Sequence, residues 1–396
     1  MTGWQVDPSA LPEILWDVAI VGGGPAGAMA ALHLARGRRR VLVLERSGYP
    51  RDKICGDALI PDAIRALHRA ELLGKVEQSA QETSSLRVFS PSKIGMTIPM
   101  RALTIKRIEL DTMVASAAAE AGAIFAHGQV LGVQPGKVAQ LSVRGVDRLV
   151  SAKITIIATG ADTRLLTPLK MVERTEPSVI AVRRYIRSNA KIDQLIFSFD
   201  RTIAPGYAWL FPLRDGEFNV GCGMAYRQRR VNLSDTLDRF LYEFEPLREV
   251  AENITTISPL RGAVLRSGLA GTAALGQPNV LAIGESLGAT FPLTGEGIGK
   301  AMETGELAAG IVLRALETND LSILASFAAA LDTLRARYRG YEIAERWVAR
   351  PWLADLVMLL GRRSRYATNC AAAVLNEAAD PREFFSLSAL VKMLFS

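Results

Sequence analysis

The chain has 396 residues, 49% hydrophobic and 22% charged, with 33 glycines and three cysteines. This composition supplies a large core and excludes a disordered chain. The formal net charge of +7 favours anionic partners, but no basic stripe is interleaved with aromatics, which argues against a nucleic-acid binder.

Met1 to Glu13 is polar with two prolines and reads as a short loose lead-in. Trp16-Asp17-Val18-Ala19-Ile20-Val21 is a short apolar run of the kind that forms a buried parallel strand. Gly22-Gly23-Gly24-Pro25-Ala26-Gly27 follows at once, then an alanine- and leucine-rich helix over 28–36, then a second strand over Val41–Glu45. Between them, Gly37-Arg38-Arg39-Arg40 reads as a solvated turn. Residues 61–73 and 108–121 read as helices, 83–101 as strands, and 124–148 as two or three strands. Another buried strand covers 154–158 and stops at Gly160.

From about Val179 the pattern changes. Leu195, Phe197 and Phe199 alternate, as do Tyr207, Trp209 and Phe211, which marks strands with one apolar face. A buried strand returns at Val280–Ile283, followed by a helix with Ile298, Ala301, Met302, Gly305 and Ala309 at helical spacing. Residues from Ser322 onward read as helices. The expected class is α/β. A discontinuous nucleotide-binding domain takes 14–80, 102–175 and 255–315, and an inserted sheet domain takes 81–101 with 176–254. A helical C-terminal region takes 316–396.

Two glycine-rich turns carry chemistry. In Gly22-x-Gly24-x-x-Gly27, Gly22 permits the tight turn, Gly24 lets the backbone approach a pyrophosphate, and Gly27 lets helix and strand pack closely. Pro25 and Ala26 open the helix, whose N-terminus offers free N–H groups to phosphate. Glu45 closes the second strand, where an acid accepts hydrogen bonds from a ribose, with Arg46 beside it. The second turn runs Gly284-Glu285, then Gly295-Glu296-Gly297-Ile298. Its acid suits ribityl hydroxyls, and its helix start suits the anionic edge of a reduced flavin. Two such turns far apart in sequence fit FAD, which has two ends to anchor.

Cys55, Cys222 and Cys370 fit no zinc or Cys-x-x-Cys pattern, and His33, His68 and His127 lie in no motif, so no metal site is expected. Cys222 and Cys370 read as core. The odd cysteine count without a secretory signal points to a reducing cytoplasm. No apolar run approaches the ~18 residues needed to cross a bilayer.

Three stretches resemble the p-hydroxybenzoate-hydroxylase-like flavoproteins, and within them the geranylgeranyl reductase family. They are 49–61, containing Cys55-Gly56-Asp57, then Pro205-Gly206-Tyr207-Ala208-Trp209-Leu210-Phe211-Pro212, and Gly284-Glu285 through Ile298. The resemblance implies FAD as cofactor and NAD(P)H as electron donor. It implies that Arg107, of the Arg107-x-x-x-Asp111 helix start, lies by the cofactor. It puts the Cys55-Gly56-Asp57 loop beside the isoalloxazine, and lines the substrate cavity with Tyr207, Trp209 and Phe211. Two departures stand out. Glu285 replaces the family's usual aspartate, one methylene shorter, and Asp162 is followed by Thr163 rather than glycine.

The activity so implied is that of an FAD-dependent oxidoreductase reducing carbon–carbon double bonds of a hydrophobic, isoprenoid-like substrate, free or borne on a carrier or phosphate. Cys55 and Tyr207 are candidate proton donors, with Trp209 shaping the site. The alternative is a monooxygenase acting on an aromatic or alkene. A halogenase ranks lower, since no Trp-x-Trp-x-Ile-Pro segment is present. The tail over 351–363, apolar and then basic, is expected either to cap the substrate domain or to touch an acidic membrane surface.

Overall fold

The computed structural model describes residues 3–228, 231–269, 271–276 and 278–395. Met1 and Thr2 of the lead-in and Ser396 of the tail lie outside them.

The strands Leu15–Val21, Val41–Glu45, Ile124–His127, Val150–Ile157 and Val280–Ala282 form a parallel sheet. Its side chains alternate between two cores. Val18, Ile20, Val41 and Val43 point to one face, where helices Pro25–Arg36, Arg107–Glu120 and Ile298–Thr318 pack. Ala19, Val21, Leu42 and Leu44 point to the other, covered by the hairpin Val130–Gln134 and Ala139–Val143. This double burial is why these strands read as continuous apolar runs.

The lead-in is not loose. Gln5–Val6 adds a parallel strand at the sheet edge beside Phe125 and Ala126, and the Trp4 ring centroid lies 5.1 Å from Tyr49 and 5.2 Å from Phe125. A two-residue strand carries no periodicity, so the sequence could not reveal it.

A second, mostly antiparallel sheet holds Gln81–Phe89, Gly95–Thr104, Val179–Arg187, Gln194–Ser198, Tyr207–Pro212 and Glu217–Ala225. Ala208, Leu210, Val220 and Cys222 face helix Leu233–Glu243, while Trp209, Phe211, Leu195 and Leu86 face inward to the main core. The sheet runs past both expected boundaries. It continues to Thr104, and Thr255–Thr256 and Arg261–Leu265 pair with Val179–Arg187. Arg261 and Gly262 are exposed, so this strand has none of the apolar alternation that marks the others.

The tail folds as helices Ser326–Val348, Pro351–Gly361, Arg365–Leu375, Pro381–Phe384 and Leu387–Leu394. It packs on strand Gly95–Thr104. Asp355 fixes it there, accepting from Ser90 Oγ at 2.6 Å, Ser92 N–H at 2.8 Å and Ser92 Oγ at 2.7 Å. No helix among the described residues is long and apolar enough to cross a membrane.

Candidate active site

A cavity of about 720 Å³ runs between the two sheets and under the tail. Gly22, Gly24, Pro25, Ala26, Glu45, Arg46, Cys55, Gly56, Arg107, Asp162, Tyr207, Trp209, Glu285, Gly295, Gly297 and Ile298 all line it. Gly27 and Gly284 do not, and their role is steric. A Cβ on Gly27 would sit 1.9 Å from the Gly22 carbonyl oxygen, and one on Gly284 2.7 Å from Ala26 Cβ.

Gly24 differs. A Cβ there would meet only the end of the Arg51 side chain, at 3.0 Å, so the space before it is open. Helix Pro25–Arg36 starts at Gly24 with no side-chain cap, leaving its first N–H groups for a ligand. Glu45 is already engaged. It accepts from Gly23 N–H at 2.7 Å and Ser47 N–H at 3.0 Å, so it holds the turn together besides facing the cavity.

At the other end, helix Ile298–Thr318 starts at Gly297, again uncapped and with no acid in its first turn. Thr294 Oγ1 and Glu296 Oε2 are buried there without a hydrogen-bond partner. Glu285 accepts from Lys53 Nζ at 2.7 Å and from Arg266 N–H at 3.3 Å, so the longer side chain is held by a cation. Asp162 pairs with Arg46 at 3.1 Å and Arg164 at 2.6 Å, on the solvent side.

Between the two ends lies the loop carrying Cys55. Arg107 is buried. Its guanidinium spans both oxygens of Asp111, at 2.7 and 2.8 Å, and it lines the same cavity as Cys55. Arg51 adds a 2.6 Å contact to Asp111. Asp57, expected only as part of the loop beside the flavin, is a hub. It is fully buried and accepts from Tyr185 O–H at 2.7 Å and Asn219 Nδ2 at 2.8 Å. Asn219 also donates to the Cys55 carbonyl at 2.7 Å and accepts from Trp209 Nε1 at 3.0 Å. This network ties the loop to the second sheet. The other Asp57 oxygen accepts from Arg107 N–H at 3.3 Å. Burial pushes the Asp57 pKa up to about 6, against the bonds from Tyr185 and Asn219. The only sequence signal was its place after Cys55-Gly56.

Tyr207 donates to the Thr294 carbonyl at 2.5 Å, and burial pushes its pKa up, so its proton is held. Tyr207, Trp209 and Phe211, with Phe197, form an aromatic wall with ring centroids 4.9–6.2 Å apart. Beyond it, Leu353, Val357, Met358 and Phe384 of the tail complete an apolar chamber. The tail therefore caps the cavity.

Residues 16–197 match the model of the pyridine nucleotide-disulphide oxidoreductases, and residues 179–260 that of the geranylgeranyl reductase catalytic domain. The chain is 33% identical over 372 residues to a menaquinone reductase of Mycobacterium tuberculosis, covering 86% of this chain and 84% of that one. The chain belongs to the geranylgeranyl reductase family. It is an FAD-dependent oxidoreductase. A digeranylgeranylglycerophospholipid reductase of Thermoplasma volcanium is 29% identical over 329 residues, covering 78% and 80% of the two chains. Among solved structures, a geranylgeranyl bacteriochlorophyll reductase-like protein from Thermoplasma acidophilum superposes with a TM-score of 0.78 at 22% identity, covering 96% and 95%. A flavin-dependent brominase shares the fold at a TM-score of 0.71 and 18% identity, over 96% and 97%. The site of this reductase-family chain fits FAD on its own terms: two uncapped helix starts face one cavity, with open space at Gly24 and unpartnered polar atoms at Thr294 and Glu296.

Proposed function

We propose that this protein saturates a carbon–carbon double bond in the isoprenoid chain of a lipid. Menaquinone and a digeranylgeranyl glycerophospholipid, the substrates named for two relatives, share an unsaturated isoprenoid chain. The chamber walled by Trp209, Phe211, Leu353, Val357, Met358 and Phe384 suits such a chain, and this observation carries the reading. Gly24, Pro25 and Ala26 receive the pyrophosphate of FAD, Glu45 and Arg46 its adenosine ribose, Glu285 its ribityl chain, and Gly295 to Ile298 its flavin edge. NAD(P)H is the electron donor. The parallel sheet with its helices is the cofactor domain, and the second sheet, extended to Leu265, is the substrate domain.

When bound and reduced, FAD supplies a hydride to one alkene carbon. The other carbon then needs a proton, and the residues lining the cavity must deliver it. Cys55 is our candidate. It lies in the loop between the two turns, half-buried, with its carbonyl fixed by Asn219 and Arg107 lining the same cavity. Tyr207 instead shapes the wall, because its O–H is committed to Thr294.

Single-turnover conversion of a prenylated quinone, followed by mass, tests both points. A gain of two hydrogens supports reduction, and a gain of one oxygen would establish the monooxygenase alternative. Cys55→Ser should keep FAD and its reduction by NAD(P)H while slowing substrate conversion by roughly 10²-fold. Conversion at the parental rate would remove Cys55 from the proton path.

A further inference from the structure

The tail buries one apolar face over the cavity and leaves a second one bare. Helix Pro351–Gly361 turns Leu353, Val357 and Met358 inward, while Trp352 and Leu359, seven residues apart and so on one stripe, are 65% and 47% exposed. The neighbouring helix Leu387–Leu394 buries Ala389 and Met393. It exposes Leu387, Val391 and Leu394, at spacings of four and three, and the chain continues into Phe395, 87% exposed. These two helices and Phe395 carry half of the exposed large apolar side chains among the described residues, so the patch is not the ordinary scatter of a soluble surface.

The charge around it is predominantly positive, with Glu383, exposed four residues before Leu387, as a carboxylate among the cations. Arg350, Arg362, Arg363, Arg365 and Lys392 are exposed, and none has a carboxylate partner among the described residues. A second copy of this chain set face to face on the patch would bring these cations against their own equivalents, which is repulsive. An occupant must be apolar within and anionic at its rim, as an acidic bilayer is. Tryptophan at the boundary and arginines around an apolar stripe are what interfacial helices use.

We propose that the outer face of helices Pro351–Gly361 and Leu387–Leu394 docks on an anionic lipid bilayer. A lipid leaving that bilayer would have only the thickness of helix Pro351–Gly361, about 10 Å, between it and the chamber. The docking role rests on the reading of the substrate as a membrane lipid, but its test does not depend on turnover.

The FAD-loaded protein is sedimented with vesicles of equal parts phosphatidylglycerol and phosphatidylcholine, and with phosphatidylcholine alone. The parent should bind the acidic vesicles, far less the neutral ones, and less as salt rises. Trp352→Ser with Leu387→Ser and Phe395→Ser should weaken binding at least tenfold. Arg362→Ser with Arg363→Ser and Arg365→Ser should weaken it by on the order of a hundredfold, about fivefold per arginine, on acidic vesicles only. Both sets keep the flavin absorbance and the turnover of detergent-dispersed substrate. Absent or salt-independent binding of the parent overturns the proposal, as does parental binding by either variant. So does a parental dimer that the apolar set converts to monomer, which would make the patch a self-contact. Vesicle binding as expected, with no turnover of any prenyl lipid in detergent, would instead sink the reaction and leave the docking surface standing.

Discussion

The two glycine-rich turns face the same cavity but rest on different foundations. Around Gly22–Gly27 the turn is held by short local hydrogen bonds, while the N–H groups that open the helix stay uncapped. Glu45 takes the Gly23 and Ser47 N–H groups, and the Tyr49 hydroxyl donates to the Gly23 carbonyl. The helix behind it is apolar, with Ala28, Met29, Leu32 and Leu34 buried. Around Gly295–Ile298 the foundation is ionic. Lys300 is 2% exposed and meets Glu303 at 2.7 Å, Asp62 at 3.6 Å and Glu377, with its ammonium 4.9 Å from the Phe291 ring. The first turn is thus held chiefly by local hydrogen bonds to Glu45, with the Arg51 guanidinium 3.9 Å away, and the second by a buried charge cluster. A change should therefore act on cofactor binding at the first turn and on folding at the second.

Lys300→Met gives the largest expected effect. It leaves the buried Asp62 without its cation, beside a Glu377 that keeps Arg65 and Arg337, and breaking such a cluster costs on the order of 3 kcal/mol. Protonation of the stranded Asp62 relieves part of the penalty, so the loss, read from urea unfolding, should be larger at high pH than at low. A loss under about 1 kcal/mol would mean that the second turn does not depend on the cluster. Gly24→Val comes next. The open space before Gly24 admits a side chain without displacing backbone, so the fold should survive. The valine would occupy the pyrophosphate position and weaken FAD binding by on the order of a hundredfold, about 3 kcal/mol. A flavin titration reads this directly. Parental affinity would place the phosphates elsewhere and erase the contrast between the turns.

The contrast also explains what the sequence could disclose. The first turn, its flanking strands and the helix starting at Ile298 are local patterns, with period and glycine spacing inside about 25 residues. The aromatic alternation at Tyr207, Trp209 and Phe211 correctly marked an inward face. The ionic cluster joins Asp62, Lys300 and Glu377 from three distant segments, and no spacing rule joins them. The same holds for Asp57, whose partners Tyr185 and Asn219 lie on another sheet, and for strand Arg261–Leu265, which is recognised only by its pairing. Arg107 and Asp111 were marked only by the family resemblance, as an Arg-x-x-x-Asp helix start, and the structure pairs them one helical turn apart.

Asp57 supplies the smallest effect and the sharpest check on that distant network. Its φ of 67° is left-handed, a conformation that aspartate and asparagine both tolerate, so Asp57→Asn keeps the backbone. The amide oxygen can still accept from Tyr185 and Asn219. Its NH2 replaces the oxygen that accepts from Arg107 N–H at 3.3 Å, a loss that does not vary with pH. What the variant removes is a titration. Burial raises the carboxyl from 3.8 to about 6, so between these values the folded chain binds more protons than the unfolded one. The stabilising contribution is then full below about pH 4 and lost as pH rises through about 6, with an upper limit of about 3 kcal/mol and an expected size on the order of 1–2. Urea midpoints of parent and variant, compared from pH 4 to pH 7, isolate this one group. The variant should gain stability relative to the parent as pH rises across that window. A constant difference would mean that the Asp57 carboxyl titrates in its ordinary range and that the hub is wetter than its packing indicates.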